Sequence, residues 1–254
     1  MLIILPVFYI EVPAYAFFAT IGLICAVLYV YFRIGKADVN FHEYLKYLGV
    51  SVVFGFCGAR VLFVIAILPR IQITADNLIY YILNGGIVFY GGMLGMIFGI
   101  GIMSRIIHKD FGVVINIVAP AIPLFHFFAR IGCLFAGCCY GIPYSWGVIM
   151  LDSPDIIRFP VQFLESLCNL VIFFILVIKE RKTKSKCGNI NIYLILYAIC
   201  RFFIEFYRGD EVRGIWFLGL STAQIVSLTI LFLNMMGMVK KKCVVKTLEE
   251  DENI

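Results

Sequence analysis

Charge is what this chain has least of. Aspartate, glutamate, lysine and arginine together make up 15% of its 254 residues, and histidine occurs three times. A water-soluble domain carries about a quarter charged residues and about half apolar ones. Here 62% are apolar and the mean hydropathy is +0.98, which excludes an ordinary soluble domain and points to a polytopic membrane protein. The length accommodates about six to eight spans of roughly 20 residues and leaves no room for a separate soluble domain. The chain also lacks a CxxC pair, an internal repeat and a low-complexity tract. Its nine cysteines, an odd number, lie mostly inside apolar runs, where packing is their commonest use. The opening MLIILPVFYIEVPAYAFF has neither a basic stretch nor a small-residue cleavage site, so no removed signal peptide is expected.

What is present is a succession of long apolar runs. They predict an all-α membrane protein, one polytopic domain over residues 1–254, with about seven transmembrane helices near 13–32, 45–68, 81–104, 112–134, 160–178, 190–207 and 215–238. The net charge of +5 reflects a lysine and arginine excess in alternate loops rather than a nucleic-acid partner. Arg33, Lys36, Lys46, Arg105, Lys109, the run KERKTKSK and the tail KKK with Lys246 fall on one side. The other holds Arg70, Arg158, Arg208 and Arg213, offset by Asp76, Asp152, Asp155, Asp210 and Glu211. The positive-inside rule then places the N-terminus outside and the C-terminus in the cytoplasm.

With that orientation each intramembrane polar residue acquires a depth, because a helix rises about 1.5 Å per residue. Tyr15, Arg60, Tyr90, Arg130, Gln162, Glu165, Arg201 and Glu205 fall into one outer layer, with Gln224 somewhat deeper. An arginine inside the bilayer costs about 2.5–3.5 kcal/mol on insertion scales. Three of them at one depth against two carboxylates imply a charged cavity with a positive surplus, suited to an anionic headgroup. The bland alternatives are an i, i+4 pair between Arg201 and Glu205 and snorkelling of Arg60. In GGIVFYGGMLGMIFGIG, Gly91, Gly95 and Gly99 form a small-xxx-small series that lets helices approach closely.

These residues resemble the prolipoprotein diacylglyceryl transferases, integral membrane enzymes of bacteria. GAR (58–60), YGGMLG (90–95), RIGCLFAGCCYG (130–141), PVQFLE (160–165), RFFIEFYR (201–208) and LSTAQIVSL (220–228) occur in the family's order and spacing. The resemblance implies a bacterial plasma-membrane enzyme moving a diacylglyceryl group from phosphatidylglycerol to the lipobox cysteine of a prolipoprotein signal peptide, with release of glycerol 1-phosphate. No cofactor or metal is expected. Arg130 and Arg201 would grip the phosphate, Glu205 would orient Arg201, and Tyr90 stands where the family has a histidine base. Arg60, Tyr15, Gly91, Gly92, Cys133, Cys138, Gly141, Gln162, Glu165, Arg208 and Gln224 are assigned to substrate binding, with Gln162, Glu165 and Gln224 as supports.

The commonest form of the signature has asparagine, asparagine and glutamate where this chain has Cys133, Ala136 and Cys138. A phenol with a pKa near 10 is a weak base at neutral pH unless nearby arginines lower it, and His126, one turn before Arg130, is an alternative. For Cys133, Cys138 and Cys139 four readings stand open: packing, a disulfide or redox pair, metal ligation with His126, and a covalent role for Cys138. Other functions weighed are a paralogue acting on another acceptor, a lipid-binding or transport protein, and a thiol-redox enzyme.

Overall fold

The computed structural model describes residues 2–5, 10–67, 74, 79–82, 89–150, 153–182, 188–209 and 219–237. Its elements, in chain order, are β1 (Leu2–Leu5), β2 (Ile10–Pro13), α1 (Ala14–Ile34), α2 (Phe41–Ile67), α3 (Phe89–Ile106), α4 (Phe111–Val118), α5 (Ala121–Ala136), β3 (Pro143–Met150), β4 (Ser153–Arg158), α6 (Val161–Lys182), α7 (Asn189–Ile204) and α8 (Thr222–Met235). The chain divides into two compact units, one of Met1–Val30 with Val118–Ile254 and one of Tyr31–Ile117.

Five helical stretches are long and apolar enough to cross a membrane: Ala14–Ala37, Phe41–Ile65, Phe111–Ala136, Val161–Lys182 and Asn189–Tyr207. Gly91–Ile106 and Thr222–Met235 are apolar but shorter, so five of the seven expected spans meet full length among the described residues. The expected starts of the third and seventh lie partly in 83–88 and 210–218, outside the described residues. The expected fourth span, 112–134, contains a break between α4 and α5. Pro120 has no N–H to continue the ladder, and Ile122 and Leu124 donate instead to the carbonyls of Ala119 and Pro120. Two antiparallel hairpins, β1–β2 and β3–β4, were not expected. Tyr144 and Trp146 stand exposed on β3, the residue types that settle at a membrane–water interface.

In the unit 31–117, α2 begins with a reciprocal cap. The Asn40 side chain accepts from the Glu43 N–H and the Glu43 carboxylate accepts from the Asn40 N–H, each at 2.9 Å, satisfying donors the first turn leaves open. Packing of α2 on α3 runs through glycines. A Cβ on Gly91 would strike the carbonyl of Gly58, and one on Gly95 would strike the carbonyl of Phe54, so these backbones touch as the small-xxx-small series requires. Gly92 is different: a Cβ there would meet Ala59 at an ordinary 3.5 Å. Phe56, Val61, Leu94 and Phe98 point outward, an apolar surface that lipid solvates.

In the other unit, α6 buries Val161, Gln162, Glu165, Ser166, Asn169, Ile172 and Leu176, one face at helical spacing. Its C-terminal half packs Ile172 and Leu176 against Tyr193 of α7. Its N-terminal half is polar on that same face. The last turn of α6 holds Lys179, Arg181 and Lys182, at the end opposite that polar face.

Candidate active site

Glu165 is the centre of the site. It projects from the first turns of α6 and binds two arginines brought by different helices. Its Oε2 lies 2.6 Å from Nε of Arg130 on α5, and its Oε1 accepts from Nη1 of Arg201 on α7. The other terminal nitrogen of Arg201, Nη2, is 2.8 Å from Oε2 of Glu205, and Nε of Arg208 stands 4.0 Å from the same oxygen. The order Arg130, Glu165, Arg201, Glu205, Arg208 alternates in sign and carries three positive charges against two negative. Side-chain exposure is 22% for Arg130 and 9% or less for the other four. Buried charges are costly unless paired, and the alternation places an opposite charge within 4.0 Å of each.

The surplus is not spread evenly. Arg201 meets carboxylates at both terminal nitrogens, whereas Arg130 meets Glu165 at Nε. Nη1 of Arg130 lies 4.0 Å from Sγ of Cys133. A cavity of about 10 Å³, lined by Arg130, Glu165, Asn169, Tyr197 and Arg201 among others, is about the size of one water.

Local structure explains why α5 ends where it does. Gly137 takes φ +76° at its C-cap, with Gly137 N–H donating to Leu134 and Cys138 N–H to Cys133 at 3.3 and 3.2 Å. This double closure reverses the chain and returns Cys138 over the turn that carries Cys133. The following loop is clamped from three sides. Gln162 Nε2 donates to the Cys138 carbonyl at 2.8 Å, and Arg158 lies over the Tyr140 ring at 4.2 Å while donating to the Gly141 carbonyl at 3.2 Å. Gly141 pairs with Arg208 as an isolated bridge, closed by Ile142 N–H to Tyr207 and Gly209 N–H to Tyr140 at 3.0 and 2.9 Å. A Cβ on Gly141 would strike the Phe159 carbonyl, so only glycine fits.

Most of the expected site residues of this unit therefore come together: Arg130, Glu165, Arg201, Glu205 and Arg208 in one network, Cys133, Cys138, Gly141 and Gln162 in the loop beside it. Tyr15 opens α1 next to α5, its Cα 3.2 Å from where a Cβ on Gly132 would sit. Glu165, expected as a support, bridges both arginines directly. Gln224, expected deeper in its helix, sits in the first turn of α8, because Ser221 caps that helix. Its carboxamide oxygen accepts from Ser221 N–H at 2.9 Å and its own N–H donates to Ser221 Oγ at 3.2 Å. His126 is buried with its ring stacked on Tyr197, centroids 5.7 Å apart. Arg60, Gly91 and Gly92 belong to the other unit; Tyr90 is the second residue of α3, and its side chain lies outside the described residues.

Ser166 and Asn169 were not singled out from the sequence. Ser166 Oγ donates to the Phe127 carbonyl at 3.1 Å, and Asn169 Nδ2 donates to the Glu165 carbonyl at 2.7 Å. The signal was present: 162, 165, 166 and 169 are polar at i, i+3, i+4 and i+7 in an otherwise apolar helix.

Fold and site define a polytopic membrane protein with a buried, net-cationic network of guanidinium and carboxylate groups where three helices meet. The chain belongs to the prolipoprotein diacylglyceryl transferase family, whose family model matches residues 2–240. It is 29% identical over 231 residues, 89% of each chain, to phosphatidylglycerol–prolipoprotein diacylglyceryl transferase 2 of Clostridium perfringens. It is also similar to the phosphatidylglycerol–prolipoprotein diacylglyceryl transferases of Clostridium tetani, 28% identical over 89% of this chain and 92% of the relative, and of Rickettsia bellii, 30% identical over 80% and 79%.

Proposed function

We propose that this protein transfers the diacylglyceryl group of phosphatidylglycerol to the lipobox cysteine of a prolipoprotein signal peptide, at the outer face of the bacterial plasma membrane. The observation that carries the reading is the buried surplus of one positive charge in the Arg130–Glu165–Arg201–Glu205–Arg208 series, in a chain of this family. In the reaction a carbon–sulfur bond forms at the glyceryl carbon as its bond to the phosphate oxygen breaks. The thiol proton is taken up, and glycerol 1-phosphate leaves. The leaving group gains negative charge as the bond breaks, so fixed cations in a dry site stabilise the transition state more than the ground state.

Within that scheme the terminal nitrogens of Arg130 receive the phosphate, and Arg201 is the hub that holds Glu165 and Glu205 in place. The outward orientation of the site is supported by charge. Lys179, Arg181 and Lys182 end α6 on the side away from Glu165, and basic residues favour the cytoplasmic side; the N-terminus then lies outside and the C-terminus inside. Roles for Arg60 and Tyr90 rest on motif position. The test is incubation of the purified protein with radiolabelled phosphatidylglycerol and a lipobox peptide. A thioether-linked diacylglyceryl peptide is expected; folded protein that binds the lipid but yields no such product refutes the reading.

A further inference from the structure

Beside the guanidinium network three thiols converge. The Sγ atoms of Cys133, Cys138 and Cys139 all lie within 4.8 Å of one another. Packing does not account for the set, because Cys133 is buried, Cys139 half-buried and Cys138 exposed. Cys139 also holds φ +57°, a left-handed conformation that costs an L-residue roughly 1–2 kcal/mol and that glycine or asparagine would adopt more cheaply. Strain of this kind persists where the surroundings impose it.

The surroundings do impose it. Gly137 reverses the chain so that Cys138 returns over the Cys133 turn, and Gln162 and Cys133 hold the carbonyl and N–H of Cys138. Residues five and six positions apart in sequence are thereby held side by side without any ligand. We propose that Cys133, Cys138 and Cys139 form a tris-thiolate site for a single thiophilic divalent cation of the Zn(II) type. Zinc–thiolate bonds of about 2.3 Å place tetrahedral or trigonal sulfurs roughly 3.8–4.0 Å apart. The three sulfurs therefore need to close by less than about 1 Å.

Three thiolates around a divalent cation leave one negative charge, and the neighbourhood is arranged for it. Nη1 of Arg130 is 4.0 Å from Cys133 Sγ. Three protein ligands leave a fourth position for water, on the side where Cys138 is exposed. Because Arg130 contacts both Glu165 and Cys133, an ion here would also fix the orientation of that arginine.

The experiment uses the full-length protein in detergent, reduced with a phosphine and freed of metal, and titrated with Cd(II) and Zn(II). Expected are one equivalent of Cd(II) per chain with an ultraviolet thiolate-to-metal charge-transfer band, displacement by Zn(II), and protection of these three cysteines from alkylation in peptide mapping. Cys138→Ser and Cys139→Ser should each weaken Cd(II) binding at least tenfold. Cys57→Ser, in the other unit, should leave it unchanged. Thermal unfolding of each variant confirms the fold, and the exposed Cys138 is the position least able to disturb it. Absence of the band, equal binding by Cys138→Ser, or a Cys133–Cys138 disulfide whose reduced form still takes up no metal overturns the proposal.

Discussion

Replacing Glu165 by glutamine changes one atom in shape and one full charge in electrostatics. In the wild type a single carboxylate binds Arg130 through Oε2 at 2.6 Å and Arg201 through Oε1, and its side chain is 6% exposed. The amide keeps one acceptor and turns the other into a donor facing a guanidinium. Removing one partner of a buried pair costs about 3–5 kcal/mol, because the remaining charge stays desolvated. Here two guanidiniums are left facing each other, and the series moves from one surplus positive charge to two. The expected loss of stability is about 3–5 kcal/mol, read as a lowered unfolding temperature in detergent. Turnover should fall further than binding. The loosened Arg130 no longer meets the departing phosphate in a fixed geometry, and a loss of about 2.7 kcal/mol at the transition state is ~100-fold in kcat. Assay with labelled lipid and lipobox peptide separates kcat from KM. Turnover within threefold of wild type in Glu165→Gln would refute the view that this carboxylate positions both arginines.

Other outcomes follow from the same geometry. Arg130→Ala should abolish turnover yet unfold within a few degrees of wild type, while Arg201→Ala should lose both activity and stability, since it strands Glu165 and Glu205; equal thermal shifts in the two variants would contradict the hub assignment. Gly95→Leu, whose side chain meets the Phe54 carbonyl, should destabilise the α2–α3 pair by at least about 1–3 kcal/mol, and an unchanged unfolding temperature would count against that contact. Ser221→Ala removes the α8 cap and should cost about 1 kcal/mol with little change in kcat, measured by thermal unfolding alongside the transfer assay.

Membrane class and the polar face of α6 were legible because each rests on a short-range signal. Twenty-residue apolar runs, charges in alternate loops and a polar stripe on α6 are all properties of neighbours in sequence. The break at Pro120 was equally readable, yet the apolar run across it masks a two-residue interruption. The hairpin Pro143–Arg158 was not legible: its strands expose Trp146, Ile149 and Ile157, so they lack the alternation that marks a half-buried strand. Nor was the central place of Glu165, because nothing local reveals that arginines 35 residues before it and 36 after it will share its two oxygens. The cysteine convergence depends on φ +76° at Gly137 and φ +57° at Cys139, and spacing alone does not show those angles.

Why the network uses two carboxylates at all follows from the cost of its arginines. Three guanidiniums clustered in a low-dielectric region would repel one another and lose hydration with nothing in return; three arginines with three carboxylates would be neutral and would offer a phosphodiester no net attraction. Within the series, two carboxylates placed between three arginines give the inner cation two anionic partners and each outer one a single anionic partner. The positive excess of the series thereby falls at its ends, at Arg130 and Arg208. Both ends lie against the signature loop, Arg208 through its bridge to Gly141 and Arg130 through Cys133. Unequal sharing of carboxylates, rather than the number of arginines, is therefore what delivers positive charge to one place where an anion can use it.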